Sequence, residues 1–514
     1  MHRKLLYILL TACSTHISAQ ESSLLLNIAE HDNRVRQMRS YLFDAPSLQV
    51  LRSNKSLNDI HTGYSHRSAS SATVPEAGDG ENTAGIGIDS YIKNLNANLS
   101  STTLWGGASY EHSKTENIRF AETNDADIVY PYITADCIGG WLKSELYKFK
   151  GGASYTKFSE KLNSEMTYAI EGEYSARLAY RTIDPRPNNL SSDFKIGFGF
   201  GLMKEKYFYA IDIALGKYKQ TSSIKTYDQV STPTFFHLTG AGNDYYRFRG
   251  DNTSSYYNGK NIGATLTWGR KDNIGLFASA GAEFSGVEKI ITSLNQLPLA
   301  KKKNAEANAK VGFTTRGERT EWGVAASAKI KNTKGTENIF GSAQDNIYPQ
   351  IAQQQMYGDF TFESNLSATI QHRYGNGSLY ASAGIGNIVQ KEKYESSPSR
   401  RFNADMLSTR LAVGGNRISG RMMYSIGAEA RFLSSLKNET EGGKQDFNNN
   451  EIYGAWLWRT EYLGNSRREI SAEASVEYDT NRKVSIYTAL QYNYQHYRKL
   501  HHLGMITISV GCHF

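Results

Sequence analysis

Tyr207-Phe208-Tyr209-Ala210-Ile211-Asp212-Ile213-Ala214-Leu215 is the stretch on which the fold turns. In an extended chain Tyr207, Tyr209, Ile211, Ile213 and Leu215 share one face, and Phe208, Ala210, Asp212 and Ala214 share the other. At 100° per residue the same apolar set would scatter around a helix, so the stretch is a strand. The period of two recurs along the chain. In 322–331, Trp322, Val324, Ala326, Ala328 and Ile330 oppose Gly323, Ala325, Ser327, Lys329 and Lys331. In 360–370, Phe360, Phe362, Leu366, Ala368 and Ile370 oppose Thr361, Glu363, Asn365, Ser367 and Thr369. In 422–432, Met422, Tyr424, Ile426, Ala428 and Phe432 oppose Ser425, Gly427, Glu429 and Arg431, and in 471–478 Ala472, Ala474, Val476 and Tyr478 oppose Ser471, Glu473, Ser475 and Glu477.

Such alternation has two explanations. A water-soluble sandwich buries the apolar face against a second sheet, and a membrane barrel turns it to lipid. Many runs extend over 10–16 residues, longer than the ~5–6 of soluble strands and close to the ~9–11 that cross a bilayer at a tilt. Aromatics collect near run ends, as in Tyr453, Trp456, Trp458 and Tyr462, or Tyr492, Tyr494 and Tyr497, where interfacial girdles are required. The barrel is the better account. Composition agrees, with 45 Gly and 33 Tyr but only 9 Pro in 514 residues. A polytopic helical membrane protein is excluded by a mean hydropathy of −0.51 and by a longest apolar run, Leu5 to Ala12, far short of ~20 residues.

Nineteen runs can be marked, with a weaker one at 57–66. A closed bacterial barrel with both termini in the periplasm takes an even number of strands, so the expectation is an all-β, antiparallel up-and-down barrel of about 18, with 16 and 20 open. Short connections fall at 270–273, 316–319, 374–377 and 464–467. Longer ones cover about 220–258, 285–305, 333–356, 393–402 and 436–450. From 258 to 465 they alternate, as extracellular loops and periplasmic turns do.

Residues 1–19 read as a secretory signal, with basic His2-Arg3-Lys4, apolar Leu5 to Ala12, and Ile17-Ser18-Ala19 before Gln20 as the cleavage site. A rival reading takes Leu10-Thr11-Ala12-Cys13 as a lipobox with Cys13 lipidated. Either sends the chain out of the cytoplasm. Residues 20–56 are expected to form a periplasmic helical segment and 57–514 the barrel. Within 21–43, Leu25, Ile28, Val35, Met38 and Leu42 follow helical spacing, and Asp44-Ala45-Pro46 ends the helix. This segment has no place in a strand wall and is expected at the periplasmic mouth or inside the lumen, with Leu25, Ile28, Val35 and Met38 against the barrel. Cys137 and Cys512 read as small apolar strand residues rather than a disulfide.

The chain carries 58 Lys plus Arg against 50 Asp plus Glu, +8. Removing Arg3 and Lys4 with the leader leaves +6, a mild excess and no nucleic-acid footprint. The basic clusters Lys301-Lys302-Lys303, Arg400-Arg401 and Arg467-Arg468 read as solvated turns.

The last strand sets Ile506, Ile508, Val510, Cys512 and Phe514 on one face and Thr507, Ser509, Gly511 and His513 on the other. It resembles the carboxy-terminal signal read by the barrel-assembly machinery, whose final residue is commonly Phe. With Ile17-Ser18-Ala19-Gln20, it makes the chain similar to outer-membrane barrels of the Bacteroidota. More narrowly, Tyr130-Pro131-Tyr132-Ile133-Thr134-Ala135-Asp136, Asp184-Pro185-Arg186-Pro187 and the segment from His237 through Gly240, Asn243 and Tyr246 to Phe248 resemble an uncharacterised barrel family known only as a domain of unknown function. The likeness spans most of 40–514. It implies fold and a Gram-negative outer-membrane location, and carries over no site residues. The pentapeptide Gly-Gly-Ala-Ser-Tyr occurs at 106–110 and 151–155, from hairpin duplication or by chance.

No nucleophile-elbow, Walker or H-E-x-x-H motif occurs. Gly197, Gly199 and Gly201 alternate with Phe198 and Phe200, which suits a strand with a glycine face. His496, His501 and His502 lack a carboxylate or Cys at ligand spacing. No catalytic, cofactor or metal residue is assigned. The inward faces carry Lys329, Lys331, Glu363, Glu429, Arg431, Arg459, Glu461, Glu473 and Glu477. They form either a mutually neutralised, hydrated lumen or a ladder of opposed charges that selects zwitterions or sugars. The aromatic segment 227–257, with Phe235, Phe236, Tyr245, Tyr246, Arg247 and Phe248, either stacks on a ligand such as a glycan or folds inward to narrow the pore, or is a loop stabilised by its own aromatic cluster. The function expected is a porin-like pore or transporter for small polar solutes. The alternatives are a structural or surface-display barrel with a blocked lumen that binds a partner, and last an outer-membrane hydrolase. Lipid, the assembly machinery and a small solute are the expected partners, and nucleic acid is disfavoured by compartment alone.

Phe514 gives the first test. Its deletion is expected to lower the amount of heat-modifiable barrel in the outer membrane while secretion continues, and wild-type assembly without it would remove the carboxy-terminal signal from the argument.

Overall fold

The computed structural model describes residues 23–39, 45–94, 101–120, 122–228, 234–250, 254–345, 347–395, 399–442, 451–480, 483–497 and 501–514. The cleavage site, Cys13, and Leu42 lie outside them. The strands in chain order are β1 (Leu57–Ala69), β2 (Gly80–Lys93), β3 (Thr102–Ile118), the short β4 (Thr134–Ala135), β5 (Gly140–Ser159), β6 (Ser164–Tyr180), β7 (Arg186–Lys204), β8 (Tyr207–Lys225), the short β9 (Phe236–Gly240) and β10 (Asn243–Asp244), and β11 (Ser255–Arg270). They continue as β12 (Gly275–Ile291), β13 (Leu297–Arg316), β14 (Thr320–Phe340), β15 (Gln350–Tyr374), β16 (Gly377–Tyr394), β17 (Arg400–Ser419), β18 (Met422–Gly442), β19 (Arg467–Asp479), β20 (Ser485–Tyr497) and β21 (His501–His513).

All but the three short strands form one closed 18-stranded antiparallel wall. The seam is β1 against β21, from Asp59 opposite His513 to Ala69 opposite Leu503, and Asn58 exchanges backbone hydrogen bonds with Phe514. The weak run at 57–66 is therefore a full strand. The two Gly-Gly-Ala-Ser-Tyr copies sit on neighbouring β3 and β5, with Gly106 opposite Gly151.

The pleat sorts side chains as the period of two requires. Tyr209, Ile211, Ile213 and Leu215 are exposed on the outside, and Phe208, Ala210 and Asp212 are buried inside. At ~3.3 Å per residue and a tilt of ~40°, the 19 residues of β8 rise about 48 Å, against an apolar band of ~25 Å. Its outward residues beyond the band change to Lys217, Lys219 and Lys225. Tight turns, such as Glu205-Lys206 with Glu205 at φ 51 and Tyr374-Gly375-Asn376-Gly377 with Gly375 at φ 48, share the end that holds Leu57 and Phe514. We call this the turn end, and the opposite one the loop end.

Several expectations need correction. Residues 451–464, marked as a strand with girdle aromatics, are a helix, Glu451–Gly464. Its buried residues are Ile452, Trp456, Thr460 and Gly464, a spacing of four that defines one helical face. Arg459 and Glu461 are thus not on a strand wall, and Tyr453, Trp456, Trp458 and Tyr462 are not a girdle. The connection expected at 285–305 shrinks to 292–296, and 333–356 is mostly strand, with 341–349 as its link. The basic clusters are in strands rather than solvated turns, and Lys302 and Arg400 are buried. Cys137 sits in a connection, not a strand, while Cys512 is on β21. The amino-terminal helix is broken into Ser23–His31 and Arg34–Gln37, with the Asn33 side chain capping the second piece by accepting from Arg36 N–H.

Candidate functional site

The lumen is the concave surface with chemistry in it, and segments fold into it from both ends. At the turn end the amino-terminal segment crosses it. Leu25 and Ile28 pack on Ile418 and Met423. Met38 and Leu48 pack on Met203, Phe208, Phe277 and Ala325. Val35 is buried as well, so the four residues expected to face the barrel do so. Burying each such side chain contributes about 1.5–3 kcal/mol.

Polar ties hold the segment's register. Asn33 donates to Glu321 at 3.0 Å, and Arg34 N–H to Gln371 Oε1 at 3.0 Å. The buried Arg39 donates to Gly275 O and Thr314 Oγ1 and lies 4.6 Å over the Phe277 ring. Asp212 accepts from Ser47 N–H at 2.9 Å and Ser47 Oγ–H at 2.8 Å. On β2, Tyr91 OH donates to the carbonyls of Gln49 and Ser53. The glycine face of β7 explains how the segment fits. A Cβ at Gly199 would lie 2.6 Å from Ser47 N, and one at Gly197 3.4 Å from Pro46. The glycines make the seat for residues 46–51.

At the loop end three connections fold inward. Residues 122–136 include the short helix Ala126–Val129 and bind the wall through Tyr257 OH to Tyr132 O, Gln220 to Asn124, and Lys302 Nζ to the carbonyls of Asp127 and Ile128. β4, β9 and β10 make a small separate sheet here. The helix Glu451–Gly464 completes the closure. At its centre Glu392 is 4% exposed and accepts from Tyr130 OH at 2.9 Å, Tyr357 OH at 3.0 Å and Trp456 Nε1–H at 2.8 Å. Arg459 lies 4.5 Å over the Tyr130 ring and 3.4 Å from Glu76, and against the cost of burial the carboxylates of Glu76 and Glu392 favour its charged form.

The expected ligand loop is mostly part of this closure. Phe235 and Phe248 are buried. Tyr245 donates to the carbonyls of Leu299 and Asn338, and Arg247 to those of Phe340 and Gly341. Phe236 lies under Arg249, while Tyr246, at 78%, Tyr227 and Arg247 are exposed.

Between the closures lies a charged chamber. A cavity of about 490 Å³ is lined by Lys150, Lys195, Lys310, Glu173, Glu283 and Glu306 among others. It shares walls with lobes of about 420, 460 and 180 Å³. Lys329 pairs with Glu306 at 2.8 Å, Glu429 with Arg410 at 2.6 Å, and Glu473 with Arg34 at 3.0 Å. Lys331 lines the smallest lobe, Glu363 lies opposite Lys329 in the register, and Arg431 reaches Ser408 and Glu469. Glu477 instead meets His513 at 2.6 Å, nearer the turn end. Sequence reading missed Lys150, Lys195, Lys310 and Glu306. Their parity was the available signal, but Glu306 alternates with Ala305 and Ala307, whose apolar contrast is small. His496 and His502 face each other on β20 and β21, with His501 stacked on Tyr497.

Residues 46–514 match the model of a family described as a family of unknown function, DUF6850. No curated protein matches the chain. Among solved structures, the copper transporter OprC is similar at 8% identity and a TM-score of 0.43, over 85% of this chain and 61% of its own. The FrpB iron transporter from Neisseria meningitidis is similar at 8% and 0.39, over 91% and 83%. The Pseudomonas putida toluene transporter TodX gives 8% and 0.32, over 92% of each chain.

Two tests follow from the closures. Asp212→Ala removes both bonds to Ser47, and bonds to a charged group contribute about 1.5–3 kcal/mol each. Gly199→Val displaces the same residues sterically. Both variants are expected to speed limited trypsin cleavage at Arg52 and Lys55, with the barrel still heat-modifiable. At the loop end, burial and the neighbouring Asp136 push the Glu122 carboxyl well above the usual range, against the opposing pull of Arg181 at 3.4 Å. A carboxyl raised on folding stabilises below its unfolded pKa, and that contribution is lost as pH rises through the folded value. Cleavage at Arg119, corrected for trypsin's own pH dependence, is expected to quicken as pH rises above the usual carboxylate range, and Glu122→Gln to flatten the profile.

Proposed function

This chain belongs to the family of unknown function DUF6850, and from that premise we propose an outer-membrane transporter barrel that moves small polar solutes through a lumen shut at rest. The observation that carries this reading is the chamber of opposed lysines and glutamates enclosed between the amino-terminal segment and the folded loops. Opposite charges across a narrow space set a transverse field that favours zwitterions and sugars over apolar solutes. An always-open pore fits less well, because the Ser47–Asp212 tie and the Glu392 centre hold segments inside the wall at both ends. The leader, the barrel pattern and Phe514 support placement in a Gram-negative outer membrane of a Bacteroidota source, with the turn end and amino terminus in the periplasm. The reading assigns the chain no catalytic chemistry.

A second reading, a partner-binding barrel with a permanently blocked lumen, draws on the loop end. There Glu392, Arg400 and Arg459 tie separate connections into one body, which is a rigid surface suited to recognition.

Planar-bilayer recording separates the two. Four proteins are compared: wild type, a deletion of 23–52, Glu392→Ala, and the two changes combined. Two closures in series predict little conductance in wild type and the largest unitary steps in the combined variant. Silence in all four, with heat-modifiable folding retained, would overturn the transport reading. A stoichiometric partner recovered from solubilised envelopes would then support the second.

A further inference from the structure

The barrel seam carries a cluster that the lumen reading does not use. On β1 and β2, Asp59 lies opposite Asp89 and His61 opposite Gly87, all with inward parity. The three potential donor atoms of Asp59, His61 and Asp89 lie within 4.8 Å of one another. His61 Nδ1 is 2.7 Å from Asp59 Oδ2. The other oxygen of Asp59 accepts from Tyr487 OH at 3.0 Å, and His513 Nε2 is 3.7 Å from it. We propose that Asp59, His61 and Asp89 bind a divalent transition-metal cation of the zinc and cobalt class on the lumen wall, whether or not the lumen conducts.

Charge is the first argument. Asp59, Asp89 and Glu477 lie around this seam, and among the described residues only His61 and His513 stand within ion-pairing distance of them. Three carboxylates face two imidazoles here, so the seam carries an excess of acidic groups over partners, and a bound cation offsets it.

Donor chemistry is the second. One imidazole and two carboxylates suit borderline divalent ions, bound at about 2.0–2.2 Å. Donors on one tetrahedral ion are about 3.4 Å apart at such lengths, so the cluster needs only small side-chain shifts to close on a metal. Tyr487 and His513 hold Asp59 from behind, as outer partners of metal-ligating groups do.

Room is the third. A Cβ on Gly87 would lie 2.5 Å from His61 Nε2, and one on Gly107 2.7 Å from Asp89 Oδ1. Two bare backbone positions let the donors lie flat on the wall. His61 and Asp89 border the cavity of about 460 Å³, which leaves open coordination positions for water or an exchanging ligand.

The test uses the full chain, solubilised in detergent and freed of metal with a chelator. Titration with Co²⁺ or Zn²⁺ at pH 7.5, by calorimetry and by the cobalt visible bands, is expected to show one saturable site. His61→Ala and Asp89→Asn should each weaken it at least about tenfold, while His496→Ala, at the loop end, leaves it intact. Absence of saturable binding overturns the proposal. So does unchanged binding in heat-modifiable His61→Ala and Asp89→Asn proteins, which would place the metal elsewhere.

Discussion

Every peptide group in the wall has to find its hydrogen bond inside the wall, because the hydrocarbon around it offers none. That requirement forces the sheet to close, and the bonds between Asn58 and Phe514 beside the β1–β21 seam are where the two ends of the barrel sequence meet it. Once the wall is closed, the pleat assigns each side chain to lipid or lumen, and the two faces follow different rules. The outer face is restricted to apolar and aromatic residues over the band. The inner face is free to carry charge, and here it carries both signs.

A closed wall of 18 strands encloses more space than its own side chains fill. The chain fills the rest with segments that are not strands. The amino-terminal segment seats on the glycine face of β7, and Phe208 and Phe277 receive its apolar residues. At the loop end the filling is tied by buried polar groups, with Glu392 satisfied by three donors from three different elements. Such a carboxylate is costly unless every acceptor site is met, which gives the loops one arrangement rather than many.

Much of this was legible in the residues. The period of two found the strands, and the spacing of Leu25, Ile28, Val35 and Met38 found the face that meets the barrel. What failed did so for physical reasons. Ile452, Trp456 and Thr460 repeat every four residues, but neighbouring Tyr453, Trp458 and Tyr462 fill the intervening positions, so a dense aromatic stretch satisfies a girdle as well as a helix. Lys302 and Arg400 looked solvated because charge is usually at the surface, whereas here inward-folded carbonyls receive them. The Asp59, His61 and Asp89 cluster depends on the register between strands, with Tyr487 and His513 brought in across the seam from the far end of the chain. No local pattern carries that information.

The amino-terminal segment is joined to β1 through only a few residues after Arg52. Its seat and its ligand are therefore one molecule, and their encounter is independent of protein concentration. A short tether sets an effective concentration on the order of millimolar. A free peptide with the sequence of residues 23–52 would have to approach that level before it displaced the native segment. Dilution, overexpression or a second copy of the chain in the same membrane leaves the occupancy of the seat unchanged.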